Sequence, residues 1–122
     1  MDKIDVKDLE FEVAHIGINQ DNEEEAKKTA QILYELFGFS CRNTPGSIFV
    51  NEQFEIMKTK FLGRLGHIAI RTKDINRAKE YLESKGIAFN EESANRDENG
   101  NLMTIYLKED IAGFAFHLLQ KN

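Results

Sequence analysis

The chain has 122 residues, of which 41% are hydrophobic and 30% charged, and its formal net charge is −5. That length is enough for one domain with a sizeable core. An acidic balance without a block of Lys or Arg argues against nucleic acid or an anionic membrane surface as partner. No apolar run approaches the ~20 residues needed to span a bilayer. The first ten residues are charged and lack an apolar signal core. The single cysteine, Cys41, cannot form an intrachain disulfide, which fits a reducing, cytoplasmic location.

Residues 2–10 are polar and read as a loose lead-in. Residues 11–18 alternate as a strand, with Phe11, Val13 and His15 on one face and Ala14, Ile16 and Ile18 on the other. Residues 19–22 are a polar stop offering helix caps, and Glu23, Glu24 and Glu25 favour the positive end of a helix dipole. Ala26, Ala30, Leu33, Tyr34 and Phe37 recur at three- and four-residue spacing, which predicts an amphipathic helix closed by Gly38. Short strands follow over 39–42, 47–50 and 53–58, with a turn at Asn43-Thr44-Pro45-Gly46. Residues 59–65 hold one Gly and read as a structured crossover.

The order then repeats. Residues 66–72 form a strand, and Asp74 caps a helix with Ile75, Ala78, Tyr81 and Leu82 on one face, closed by Gly86. A short strand over 87–90 leads into a polar loop over 91–101, where Asn99-Gly100 signals a hairpin. Residues 102–108 and 113–119 are the last strands. The expected fold is α+β: one domain over 11–122, built from two tandem βαβββ modules over 11–58 and 66–120, with their helices outside a cupped mixed sheet.

The repeat carries polar residues with it. His15-Ile16-Gly17-Ile18 returns as His67-Ile68-Ala69-Ile70, fifty-two residues later. His117 lies in the alternating run Phe114-Ala115-Phe116-His117-Leu118-Leu119, and Glu55 in the matching run Phe54-Glu55-Ile56-Met57. In all four strands the apolar flanks can face a helix while the polar residue faces the other way. A lone strand histidine is ordinarily exposed or satisfied by a neighbour. Here all three histidines of the chain fall at repeat-equivalent places with matching parity. Two modules related by a pseudo-two-fold would bring two such residues each around one point, and a divalent metal suits imidazole and carboxylate together.

These residues resemble the vicinal oxygen chelate superfamily, which includes glyoxalase I, bleomycin- and fosfomycin-resistance proteins and extradiol dioxygenases. The resemblance covers residues 11–120. It implies a sheet cupped around a divalent metal. The first module would contribute His15 from its first strand and Glu55 from its last. The second would contribute His67, from Gly66-His67-Ile68-Ala69, and a carboxylate from its last strand, where this chain has His117. In glyoxalase I that last Glu is implicated in moving the substrate proton, and the loops that bind glutathione look too short here. Glutathione-dependent glyoxalase activity is therefore not expected. The segments around His15, His67 and His117 are also similar to the glyoxalase-like domain fused to some bacterial keto-deoxy-phosphogluconate/keto-hydroxyglutarate aldolases. That likeness implies either a domain excised from such a fusion, with an aldolase domain as partner, or a stand-alone relative.

Three His and one Glu leave open positions on an octahedral cation. A small anionic metabolite (a keto or hydroxy acid, or a sugar acid) can chelate there through vicinal oxygens, with the metal as Lewis acid. Zn, Ni, Co, Mn and Fe all accept such ligands. Glu55 is the obvious carboxylate to move a proton. Arg71, on the His67 face of its strand, is placed to meet a carboxylate or phosphate, and Tyr106 is a candidate for lining the site. Three functions stay open: a metal-dependent lyase or isomerase, a non-catalytic metal- or metabolite-binding regulatory domain associated with an aldolase, and an Fe(II) dioxygenase. The sequence also leaves open whether the site is built within one chain or across a homodimer.

Overall fold

The computed structural model describes residues 3–122; Met1 and Asp2, at the start of the expected lead-in, lie outside the described residues. Eight strands form one mixed sheet crossed by two helices. In chain order these are β1 (Glu12–Ile18), α1 (Glu23–Phe37), β2 (Cys41–Asn43), β3 (Ser47–Val50), β4 (Phe54–Met57), β5 (Gly66–Thr72), α2 (Ile75–Ser84), β6 (Phe89–Arg96), β7 (Leu102–Leu107) and β8 (Phe114–Gln120). The sheet order is β2-β3-β4-β1-β5-β8-β7-β6. Exchanging each strand for its counterpart in the other module returns the same order reversed, so the α+β repeat is also a spatial pseudo-two-fold. The modules meet edge to edge through the antiparallel β1–β5 pair, flanked by parallel β1–β4 and β5–β8 pairs. Among the described residues no helix is long and apolar enough to cross a membrane.

The helix ends follow the sequence signals. Asn22 accepts the Glu25 N–H on its side-chain oxygen at 2.9 Å, and Asp74 does the same for Arg77 at 3.2 Å. Gly38 takes the left-handed conformation at φ 72° and ends α1 by donating to the Tyr34 carbonyl. Helix α1 packs on β3 and β4, and α2 on β7 and β8. Two core clusters result, one per module. Ala26, Ala30, Ile48, Val50 and Ile56 form the first; Ile75, Ala78, Phe89, Leu102, Ile105 and Leu118 dominate the second. Both lie on one face of the sheet, which leaves the other face free for chemistry.

Four expectations change. The lead-in is not loose: Val6–Leu9 form a 3-10 turn, and Leu9, 1% exposed, joins the second core while its carbonyl accepts the buried Thr72 hydroxyl at 2.6 Å. Simple alternation fails in β1, because the pairing with β5 shifts by one residue between Val13 and His15. That bulge moves Phe11 into the second core and places Glu12 opposite Arg71, on the side of His15. Tyr34 and Phe37, assigned to the buried face of α1, are 54% and 61% exposed. Strands β2 to β4 are only three or four residues long, so the last turns of α1 extend past them. Strand β6 reaches Arg96, through what reads as a polar loop, because it is an edge strand with irregular pairing and few inward residues.

Since Leu9 is fully buried among Ile75, Ala78 and Leu118, Leu9→Ala is expected to lower unfolding free energy by about 2–5 kcal/mol. Urea denaturation measures this. A loss near zero would show that the segment before β1 is not part of the fold.

Candidate metal centre

Two rows of side chains run across the sheet on the face opposite the helices. In one, Glu55 on β4 and His67 on β5 stand on either side of Gly17. In the other, His15 on β1 and His117 on β8 stand on either side of Ala69, with Tyr106 beyond His117. Gly17 and Ala69 occupy the same position in the repeated tetrapeptide. Each module thus contributes a histidine and, two residues on, a small residue over which the other module's histidine can lean. A Cβ added at Gly17 would collide with the His67 ring.

Glu55, His67 and His15 are in direct contact, and His117 stands beside the two histidines. Glu55 Oε1 lies 2.9 Å from His67 Nε2 and 3.4 Å from His15 Nε2, and the two nitrogens are 3.3 Å apart. Metal–ligand bonds of about 2.0–2.2 Å place adjacent ligand atoms about 2.8–3.6 Å apart, by the geometry of octahedral and tetrahedral shells. These three atoms therefore already stand at coordination spacing. Ring nitrogens of His15, His67 and His117 all lie within 4.8 Å of one another. His117 donates Nδ1–H to the Leu118 carbonyl at 3.0 Å, which leaves its Nε2 lone pair free, the usual state of a metal-bound imidazole. Among the described residues His67 Nδ1 is buried with no hydrogen-bond partner, and the ring is held through Nε2, which meets Glu55. The donor set and its spacing fit a divalent cation.

Electrostatics favour the same reading. Burial pushes His15 down to about 4; neighbouring His67, His117 and Arg71 reinforce the shift, and Glu55 opposes it. Burial also lowers His117, against the pull of the Leu118 carbonyl. For Glu55 burial is the largest single influence and acts upward, but hydrogen bonds from His67 and Ser47, with the electrostatic influence of His67 and His15, hold the carboxyl below its usual range. At neutral pH His15 and His117 are thus neutral and Glu55 is charged, the protonation states that ligation requires. Burial, aided by the Glu55 charge, raises the Tyr106 phenol to about 12, so it stays a proton donor.

Of the two residues assigned to substrate, Tyr106 does face the site, its ring centroid 4.8 Å from that of His117. Arg71 also lies on this face, but its guanidinium is paired with Glu12 at 3.0 Å. Sequence reading missed that partner because the β1 bulge inverts the parity of Glu12. It also missed the aromatic walls. Phe49 meets His15 edge to face at 5.6 Å, and Phe61, in the crossover between modules, stands 6.4 Å from His67 and 6.3 Å from Tyr106. Asn19 holds the crossover by accepting from Phe61 N and donating to the Gly63 carbonyl. The parity of Phe49, opposite Glu55 in the pairing of β3 with β4, was the one available signal.

Gly17→Ala is expected to displace His67 and cost about 1–3 kcal/mol of stability, the usual range for overpacking a tight site. Chelator-competition titration of the variant should also show weakened binding of Zn or Co(II). Binding and stability equal to wild type would contradict the packing described.

No family model matches the chain, and no curated protein matches it. Solved structures do. Methylmalonyl-CoA epimerase from Mycobacterium tuberculosis aligns with a TM-score of 0.69 at 14% identity, over 98% of this chain and 93% of that one. A hypothetical protein from Bacillus halodurans C-125 aligns at 0.64 and 15% identity, over 93% and 96%. Homoprotocatechuate 2,3-dioxygenase from Arthrobacter globiformis aligns at 0.58 and 12% identity, over 90% of this chain and 36% of that one. With the palindromic strand order and the two βαβββ modules, these alignments show that the chain has the fold of the vicinal oxygen chelate superfamily.

Proposed function

We propose that this chain is a divalent-metal-dependent lyase or isomerase acting on a small keto, hydroxy or sugar acid bound through vicinal oxygens. His15, Glu55, His67 and His117 would hold the metal. The observation that carries the reading is the cluster of Glu55 Oε1, His15 Nε2 and His67 Nε2 at 2.9–3.4 Å. An isomerase-type reaction is also in keeping with an epimerase among the structural neighbours.

When bound, the metal supplies Lewis acidity toward substrate oxygens. The chain's own residues do the rest. Glu55 is the carboxylate among the four; Oε2 accepts from Ser47 at 2.8 Å, so a proton would be moved by Oε1, and only while that oxygen is not a ligand. The Tyr106 O–H stays protonated and can donate to a substrate oxygen. Arg71 takes the substrate carboxylate by exchanging it for Glu12. Phe49 and Phe61 narrow the approach and limit water around the reacting atoms. His117 stands where a second carboxylate would act, so hemithioacetal isomerisation of the glutathione-dependent kind is not expected.

One alternative has its own support. The tightest three ligands, His15, His67 and Glu55, are the two-histidine, one-carboxylate set of non-haem Fe(II) oxygenases. Anaerobic Fe(II) loading followed by oxygen-uptake assays with catechols separates this reading from the first.

Elemental analysis of untagged protein should find one divalent metal per chain. Zn or Ni should raise the melting temperature, as a ligand at about a hundred times its Kd adds about 2.7 kcal/mol. His67→Ala should abolish that response; an unchanged response would reject the site. In a screen of keto and sugar acids, Glu55→Gln should reduce turnover by about 10²–10⁴. Glutathione–methylglyoxal hemithioacetal should not turn over; rates of about 1–10³ per second on it would overturn the assignment. Metal uptake without turnover of any acid would point to a binding domain instead.

A further inference from the structure

Glu55 has two carboxylate oxygens, and only one faces the histidines. The other is held by Ser47, a residue on β3 that is 2% exposed. Ser47 Oγ donates to Glu55 Oε2 at 2.8 Å. An ionised carboxylate only accepts, so the single hydroxyl proton of Ser47 is committed to Glu55.

Ser47 is itself fixed. Thr44 Oγ1 accepts the Ser47 N–H at 3.0 Å and stands 3.0 Å from Ser47 Oγ and 2.9 Å from the Ser47 carbonyl. The Thr44 carbonyl in turn accepts from Lys58 Nζ at 2.6 Å, and that buried lysine pairs with Glu23 at 3.0 Å. A line of polar groups therefore runs from the start of α1 to the carboxylate. In the second module His117 is oriented instead by the Leu118 carbonyl next to it in sequence.

The terminal torsion of a glutamate is broad, so packing alone does not set the plane of the carboxylate. We propose that Ser47 is a positioning residue that fixes Glu55 Oε2 and so aims Oε1 at His15 and His67, setting the metal affinity of the centre. The proposal rests on the reading of these residues as a metal centre. Ser47 is not itself a ligand; it acts through Glu55.

The test is Ser47→Ala in the full chain, with Co(II) as the probe. In a crystal structure of the metal-free variant, Glu55 should have left its place beside His67. Chelator competition should show Co(II) affinity reduced about 10–100-fold, the usual effect of removing a partner of a ligand, at unchanged stoichiometry. In a Glu55→Ala background, Ser47→Ala should weaken Co(II) binding no further, an outcome that general loosening of the fold would not produce. Should Ser47→Ala fail to fold, Ser47→Cys, nearly isosteric but a weak donor, is read in the same way. Glu55 unmoved in the metal-free variant, wild-type affinity, or additive losses in the double variant would each overturn the proposal. If the wild type takes up no Co(II), the metal-centre reading fails, while the metal-free crystal structure still decides the role of Ser47.

Discussion

The register of one strand pair governs this molecule. Strands β1 and β5 run antiparallel with Ile16 opposite Ile68, the equivalent residues of the two modules. The pseudo-two-fold must therefore pass between those two isoleucines. Everything at position minus one from the isoleucine becomes a histidine on the helix-free face, and everything at plus one becomes the small residue that the opposite histidine overhangs. A slip by one residue would turn one of the two histidines toward the helices and separate the pair. The same register fixes where β4 and β8 attach, and with them Glu55 and His117. The site is thus an outcome of sheet pairing rather than of loop conformation.

Placing such groups together has an electrostatic cost, and the structure shows how it is met. Burial disfavours charge on His15 and His117, so neither is charged at neutral pH and mutual repulsion is avoided. Glu55 keeps its charge because His67 and Ser47 direct hydrogen bonds at it. A half-buried anion beside the uncharged His15 is a poor arrangement by itself and a good one around a cation. Arg71 is paired with Glu12 at 3.0 Å and not with Glu55.

Much of this was legible in the sequence. Both helices, a cap for α1 within 19–22 and one for α2 at Asp74, the repeat, and the shared face of His15, Glu55, His67 and His117 follow from period, parity and recurrence. These signals are local, and a duplicated module states them twice. What escaped was whatever depended on a departure from ideal geometry. The bulge in β1 adds one residue against β5, which reverses the faces of Phe11 and Glu12, and no residue type near Ala14 announces it. The edge strand β6 lacks the alternation of a half-buried strand because little covers it. Ser47 was invisible as a partner of Glu55 because their contact is diagonal between strands, eight residues apart, and depends on the β3–β4 register.

An open sheet of eight strands has two free margins, and in this topology they are the counterpart strands β2 and β6. Neither invites another chain to extend it. Strand β2 is only three residues long, and its central Arg42 is clamped by both oxygens of Glu52 while lying 4.6 Å over the Phe49 ring. Strand β6 pairs irregularly with β7, and the Glu91 it carries is tied to Lys79. Charge, brevity and broken pairing are the features that keep natural sheets from polymerising through their margins. The duplication that built a shared centre also created two vulnerable borders, and the chain has shielded each in its own way.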